Sequence, residues 1–527
     1  MRSTVRHADP LPAPLRMLDC VTAIASAGRE FGDVPVYYVE RGVTSTTTVG
    51  ELVDSAIAVA GSLQNMGVGA GDRVVVQLPN GRHCSIAYLA VLLTGATLVP
   101  VVHIYGPAEV GFIVDQCQAS VIVVPDRVGT TDHTARYAAH LAHTCVRHLV
   151  MVGSATVSEA MSWSDLEGNA AYSAPAVRPE DTGLVVYTSG TTSEPKGARH
   201  THGSILAEQR HGRRMLRMDS DAVHLVAFPP GHIAGVHNVL RPILHGRTAI
   251  YLDSWDPVIA ADIIESHRVT STAGTPFHLR ALLEVPGATG KLASLSEMMV
   301  GATGVPAALG REAAAAGIAT FRCYGSTEHP TVSCGRVDDT EETRVRTDGY
   351  ILPDVAVRIV DDGGREVADG DVGEIQTRGD DRFVGYLDSR LDTTAFTVDG
   401  WLRSGDRGFV DTEGRLTVTG RIKDVIIRGG ETMSPAQIED VLNTHPAIAD
   451  GVVVGAPDER YGEIVVAVVI LRPGHALDTD DLRAHFAEAG LARQKTPQRI
   501  VEVDEFPRTA LGKIQKSVLR DRLRAGS

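Results

Sequence analysis

Cysteine is sparse in this chain. The six residues Cys20, Cys84, Cys117, Cys145, Cys323 and Cys334 are scattered over 527 positions, with no C-x-x-C pair. Neither a disulfide framework nor a thiolate zinc site follows from such spacing, and a reducing cytoplasm is the expected setting. Aromatic residues make up only 5%, so the core must lean on Val, Leu, Ile and Ala. Long apolar runs are missing as well. The most hydrophobic stretch, residues 86–102, is broken by Thr94, Gly95 and Pro100 and is too short for a transmembrane segment. No apolar signal region follows Met1-Arg2-Ser3-Thr4, and Arg524-Ala525-Gly526-Ser527 carries no peroxisomal or lipidation signal, so a soluble protein is expected.

Positive charge is in deficit: 50 Lys and Arg against 65 Asp and Glu, a net charge of −15. This excludes a general binder of nucleic acid or anionic membrane, and any anionic ligand must meet a local cluster of cations. Lysine is the scarcer base, with only Lys196, Lys291, Lys423, Lys495, Lys513 and Lys516 among those 50. A compact charge on a flexible stem is useful where it must enter a crowded site. The sequence also lacks a G-x-S-x-G elbow, an H-E-x-x-H pair and the spacing of a Walker A loop.

What is present reads as globular, with 43% hydrophobic and 22% charged residues. The length suits about three to four domains. Thr48-Val49-Gly50-Glu51 fits a capping box, and Leu52, Ala56, Val59 and Leu63 continue it at helical spacing. Short apolar strands at 74–76, 97–102, 120–124 and 149–152 alternate with helices such as 85–93, which is the pattern of parallel α/β layering. Beyond about residue 345 the texture becomes strand and turn: 355–360, 373–377 and 416–418, with turns at Asp361-Asp362-Gly363-Gly364 and Asp399-Gly400. After Arg421 an α+β unit follows, with Ser434 capping a helix that has Pro435 at its first position. Strands at 451–454 and 464–471 and a helix near 482–486 complete it. The expected architecture is α/β: a large multi-layer N-terminal domain, 1–422, containing a β-rich subdomain at about 345–420. A small mobile α+β C-terminal lid, 423–527, follows.

Some signals carry little. Gly67-x-Gly69-x-Gly71 lies between a helix and a following strand, the reverse of the order a dinucleotide fingerprint needs. His140, His143, Cys145 and His148 have no carboxylate among them and read as a solvated face.

One loop stands out. In Leu184-Val185-Val186-Tyr187-Thr188-Ser189-Gly190-Thr191-Thr192-Ser193-Glu194-Pro195-Lys196-Gly197 an apolar strand runs into hydroxyls, glycines and a lysine. Hydroxyls and exposed amides there can donate to phosphate oxygens, and Lys196 adds a charge.

With this loop the chain resembles the acyl-adenylate-forming superfamily of acyl-CoA synthetases, adenylation enzymes and luciferase-like enzymes. The loop is similar to the family's phosphate-binding motif, with Ser193 where glycine is commonest. Tyr324-Gly325-Ser326-Thr327-Glu328 resembles the segment whose tyrosine packs on adenine and whose threonine contacts phosphate, and Glu328 stands where the family holds Mg²⁺. Val300-Gly301-Ala302-Thr303 resembles the lining of the adenine pocket. Trp401-Leu402-Arg403-Ser404-Gly405-Asp406 supplies the aspartate used on the ribose, and Arg421 resembles an arginine that also reaches it. Lys423 falls at the family hinge. Phe506-Pro507-Arg508-Thr509-Ala510-Leu511-Gly512-Lys513 places Lys513 where the family keeps its catalytic lysine.

The resemblance implies an ATP-dependent acid–CoA ligase. A carboxylate would attack the α-phosphate to give acyl-AMP and pyrophosphate; coenzyme A would then displace AMP. The lid would turn about Lys423, withdrawing Lys513 and bringing Gly429, Gly430 and Glu431 toward the CoA channel. By position the acyl pocket falls at Phe228-Pro229-Pro230-Gly231-His232-Ile233-Ala234-Gly235-Val236, with His232 closing over the substrate carboxylate. No Asp or Glu occurs at 224–240, which argues against an amino-acid substrate because a buried ammonium would be unpaired. The small residues there suit a bulky apolar acid, and the local sequence looks closest to ligases for medium-chain or alicyclic acids. A free-standing enzyme that loads a carrier protein is the alternative, and a homodimer is allowed for.

Overall fold

The computed structural model describes residues 12–128, 131–132, 134, 145–154, 160–168, 170–188, 195–215, 221–301, 304–428, 431–458, 460–509 and 512–525. The chain forms two compact units. One comprises Met1–Asp256, Val269–Ser271 and Asp380–Ser389; the other comprises Pro257–Arg268, Thr272–Gly379 and Arg390–Ser527.

The first unit holds an eight-stranded sheet. Its order is Gly385–Tyr386, Lys196–Thr201, Thr182–Thr188, Thr97–Pro100, Arg73–Val76, Val121–Pro125, His148–Val152 and Met161–Ser162. The last six run parallel, and Lys196–Thr201 is antiparallel to both of its neighbours. Helices Arg82–Leu93 and Pro107–Cys117 make the crossovers that parallel pairing requires. Val74, Val75 and Val76 are fully buried, as strands covered on both faces must be. A second set in this unit runs Val223–Val226, Thr248–Leu252, Pro35–Glu40 and Val43–Thr48, parallel except for the last pair.

The capping box at Thr48 forms as read. Thr48 Oγ1 accepts from the Glu51 amide at 3.2 Å, and Glu51 Oε2 accepts from the Thr48 amide at 3.0 Å. The helix Val49–Asn65 that follows buries Leu52, Ala56, Val59 and Leu63. The helix expected at 85–93 begins earlier, at Arg82. Every residue of Cys84–Leu93 is buried, so no amphipathic period marks its start. The Gly67 to Gly71 segment joins a helix to a strand, with Gly67 and Gly71 at positive φ. His140 and His143 lie outside the described residues.

In the second unit, Glu297–Val300 pairs in parallel with Ala319–Tyr324, which continues antiparallel into Ser333–Cys334 and Tyr350–Ile351. The β-rich segment is a four-stranded antiparallel sheet: Val355–Val360, Gly373–Gly379, Leu402–Val410 and Leu416–Arg421. Both expected turns are present, with the Asp361 amide donating to Arg365 O and the Thr397 amide to Trp401 O.

The C-terminal part has a five-stranded sheet of its own, ordered Glu431–Met433, Ile426–Arg428, Gly462–Leu471 and Ile448–Asp458, with Arg499–Glu502 also on Gly462–Leu471. Alternation divides its side chains between two cores. Val465, Ala467 and Val469 pack with Ile438, Leu442, Leu482 and Phe486, while Val466 and Val468 pack with Phe506, Leu519 and Leu523. Pro435 opens its helix as expected, but Ser434 makes no cap hydrogen bond; its hydroxyl donates to Thr419 O instead. Mixed α/β layers with parallel sheets, followed by a small α+β segment with its own core, is the fold anticipated.

Candidate functional site

In the second unit the antiparallel ladder sets Asp406 directly opposite Arg421. Arg421 Nε lies 3.1 Å from Asp406 Oδ1, and Tyr324 Oη donates to Asp406 Oδ2 at 2.8 Å. The strand carrying Asp406 kinks at Gly405, whose φ of +70° only glycine adopts without strain. Ser404 Oγ accepts the Asp406 amide at 3.0 Å and donates to Ile375 O, which pins the carboxylate in place. Tyr324 ends its strand and enters a tight loop. A Cβ on Gly325 would sit 1.9 Å from Pro330 O, and the Ser326 amide donates to His329 O. Thr327 and Glu328 are half-buried in that loop.

Lys513 belongs to the same cluster. A turn in which the Thr509 amide donates to Lys513 O holds it, with Gly512 at φ +73° and Arg508 Nη1 donating to Gly512 O. Burial, then the charge of Arg421, brings the Lys513 ammonium down to about 8, against the opposing pull of Asp406 and Asp424. Burial raises the Asp406 carboxyl, while Arg421, the Tyr324 hydroxyl and Lys513 pull it back; Glu328 adds to the rise. Tyr324, Glu328, Asp406, Arg421 and Lys513, far apart in sequence, are therefore one electrostatic group. Gly301, in the same unit, is buried with its amide on Gly274 O, and a Cβ there would meet Cys323 O at 3.1 Å.

Lys423 sits in a single helical turn, Ile422–Asp424, whose carbonyl and carboxylate are both held by Arg520: Nη1 to Lys423 O at 3.1 Å and Nη2 to Asp424 Oδ1 at 2.8 Å. Glu431 opens the short strand Glu431–Met433, opposite Arg428. Gly429, Gly430, Ala302 and Thr303 lie outside the described residues.

In the first unit, Thr188 and Lys196 form the last registered pair of a hairpin. Ser189, Gly190, Thr191 and Thr192 lie outside the described residues. Lys196 Nζ is 5.8 Å from the Tyr386 ring centre. His232 is the residue preceding helix Ile233–His245. Its Nε2 is shut off from solvent and has no hydrogen-bond partner among the described residues. Burial, with nearby His103 second, brings this imidazole down to about 4, so it is neutral at pH 7. The segment before it is anchored by Asn80 Nδ2 on Phe228 O and Tyr88 Oη on Pro230 O. The glycines have packing reasons: a Cβ on Gly231 would meet Val102 N at 2.3 Å, and one on Gly235 would meet Pro229 O at 1.9 Å. Val236 is fully buried in the core.

Residues 25–387 match the AMP-binding enzyme family, and residues 437–513 match the AMP-binding enzyme C-terminal domain. The chain belongs to the AMP-binding enzyme family. It is 33% identical over 482 residues to the medium-chain fatty-acid–CoA ligase of Escherichia coli, covering 90% of this chain and 85% of that one. It is 32% identical over 518 residues to 3-[(3aS,4S,7aS)-7a-methyl-1,5-dioxo-octahydro-1H-inden-4-yl]propanoyl:CoA ligase of Rhodococcus jostii, covering 95% and 98%. Its structure resembles that of ATP-bound MatB from Rhodopseudomonas palustris, with TM-score 0.86 and 27% identity over 96% of this chain and 99% of that one.

Two members of the Asp406–Lys513 cluster were not read from the sequence. Asp424 shares the field of Lys513 and Arg421, and Ser404 positions Asp406. A carboxylate one residue after a lysine, and a serine two before an aspartate, are too common to signal a role.

Proposed function

We propose that this AMP-binding enzyme is an ATP-dependent carboxylic acid–CoA ligase acting on an apolar acid of medium size, fatty or alicyclic. The reading rests on the buried Asp406 carboxylate gripped by Tyr324 and Arg421, with Lys513 in the same field. Asp406 accepts from the ribose hydroxyls beside Arg421, and Tyr324, Gly301, Ala302 and Thr303 line the adenine. The segment from Thr188 through Ser189, Gly190, Thr191 and Thr192 to Lys196 holds the phosphates, and Gly325 and Thr327 contribute to nucleotide binding. One carboxylate oxygen, from Glu328, together with the nucleotide's own phosphates is a hard donor set of the kind Mg²⁺ takes while keeping several waters. Mg²⁺ supplies neutralisation of phosphate charge.

A carboxylate is a weak nucleophile, so positioning and charge neutralisation carry the first step. Lys513 bridges the attacking carboxylate and the α-phosphate. His232, neutral and with Nε2 unpartnered among the described residues, donates to the acid's carboxylate at the mouth of a pocket that includes Gly235 and Val236. For thioester formation the C-terminal domain, 423–527, turns about Lys423 and presents Gly429, Gly430 and Glu431 to CoA. Among the described residues no helix is long and apolar enough to cross a membrane; a cytoplasmic location is part of this reading.

Pyrophosphate release over a panel of acids, with CoA or with a carrier protein as acceptor, tests it. Medium-chain and alicyclic acids should release pyrophosphate and form CoA thioesters, and free amino acids should not. Robust exchange with a common amino acid at low millimolar concentration would overturn the substrate class, and transfer only to carrier protein would overturn the CoA assignment. Asp406→Ala should weaken ATP binding by ~1.5–3 kcal/mol, the worth of a charge-assisted hydrogen bond. Unchanged affinity in calorimetry would remove Asp406 from the ribose site.

A further inference from the structure

The ladder registers of the eight-stranded sheet put Arg73 and Arg199 on one face. Arg73 is paired with Thr97, Leu98 with Leu184, and Val185 with Arg199, so Arg73, Thr97, Val185 and Arg199 project to the same side. That side is the apolar one, shared with Val75, Val99, Ile113 and Val114. Both arginines are half-buried on this face, and a guanidinium that gives up part of its hydration there is stabilised by an anionic partner. Among the described residues neither side chain has an ion-pair or hydrogen-bond partner, although this chain carries 15 more acidic than basic residues. Arg199 Nε is closed off from solvent and unpartnered.

Both arginines line one cavity of about 320 Å³, together with the hydroxyl residues Thr97, Thr182 and Ser389, and among the described residues no carboxylate lines it. Beside it stands Tyr187. The phenol end of its ring, Val185 and Leu387 crowd the same point next to Gly197, at 3.1, 3.1 and 2.8 Å from where a Cβ would sit. The Tyr187 hydroxyl is buried and has no hydrogen-bond partner among the described residues.

We infer that this cavity is a binding site for a small phosphate-class oxyanion, inorganic phosphate or pyrophosphate, held between Arg73 and Arg199. The guanidinium fork matches phosphate oxygens two at a time, and the hydroxyls of Thr182 and Ser389 add donors, that of Thr97 being given to Thr182 O. A cavity of about 320 Å³ has room for either anion together with waters of its hydration shell.

Calorimetric titration of the full chain with orthophosphate and, separately, with pyrophosphate tests the inference and distinguishes the two sources. Arg73→Gln and Arg199→Gln should each weaken binding at least tenfold. Lys516→Ala, which removes a lysine paired with Glu439 instead, should keep this binding. A loss of less than tenfold in both arginine variants would overturn the inference. Should the variants fail to fold, crystals of the unaltered chain soaked in tungstate decide it. An anomalous peak between Arg73 and Arg199 supports the site, and a map without one refutes it.

Discussion

Lys513→Ala is expected to slow acyl-AMP formation by ~10²–10³, the usual cost of removing one group that stabilises charge in a transition state. An anionic carboxylate must approach an anionic α-phosphate, and a cation between them favours the transition state over separated reactants. Thioester formation from supplied acyl-AMP has no triphosphate to neutralise and should be spared. The ammonium is needed protonated, and burial with Arg421 brings it down to about 8. It is therefore charged below that pH and loses its proton above it, so kcat/KM for ATP should be sustained at pH 7 and fall as pH rises past about 8. The Ala variant should lose that limb of the profile. Lys516 is the control. Its Nζ lies 2.6 Å from Glu439 Oε1, which also accepts the Val453 amide at 2.7 Å, so its charge is tied to the C-terminal core. Lys516→Ala should keep both half-reactions. Equal damage to both steps in Lys513→Ala, with circular dichroism unchanged, would refute the moving-lysine assignment.

The second large effect is on stability. Arg241 Nη2 meets Glu208 Oε1 at 2.9 Å with both side chains almost wholly buried, at 4% and 3% exposure. Arg241 Nη1 also donates to Asn238 Oδ1 at 3.0 Å. His211 and Asp381 extend the cluster, with one ligand-type atom of each of Glu208, His211 and Asp381 within 4.8 Å of the others. The guanidinium passes over Gly212, where a Cβ would sit 2.3 Å from Arg241 Nε. A glycine inside helix His202–Met215 costs about 1 kcal/mol in propensity, and this close approach is its reason. Removing one partner strands a buried charge, so Arg241→Ala should destabilise the first unit by ~3–5 kcal/mol. The double variant Arg241→Met with Glu208→Leu should cost less, since an apolar pair of similar volume removes both charges together and the loss left over is the Asn238 Oδ1 hydrogen bond. Urea unfolding of the three chains checks this; a double variant as unstable as the single one would show that packing, not charge, holds the site.

Much of the architecture was legible in the residues. The capping box at Thr48, the buried valines 74–76 and the period-two strands after residue 345 follow from local chemistry, and each formed where the pattern put it. Helix boundaries were legible only where polarity changes. Arg82–Leu93 started early because a helix buried all round shows no amphipathic edge, and Thr479–Glu488 outran its apolar pair because its Asp478 cap lies outside the apolar period.

The functional residues divide in the same way. By itself the sequence supplied the candidates: a hydroxyl-rich loop after Tyr187, a tyrosine-glycine segment at Tyr324, Asp406 and the scarce Lys513 are residue types suited to phosphate and ribose chemistry. Tertiary structure alone decided their pairing. Asp406 meets Arg421 through strand register, and it meets Tyr324 because a loop closed by Gly325 aims the phenol at it. The buried ion pair of Glu208 with Arg241, and the shared face of Arg73 and Arg199, likewise join residues far apart in the chain. Charge partnership depends on distances of a few ångströms and on exclusion of water, and neither is a property of position along a chain.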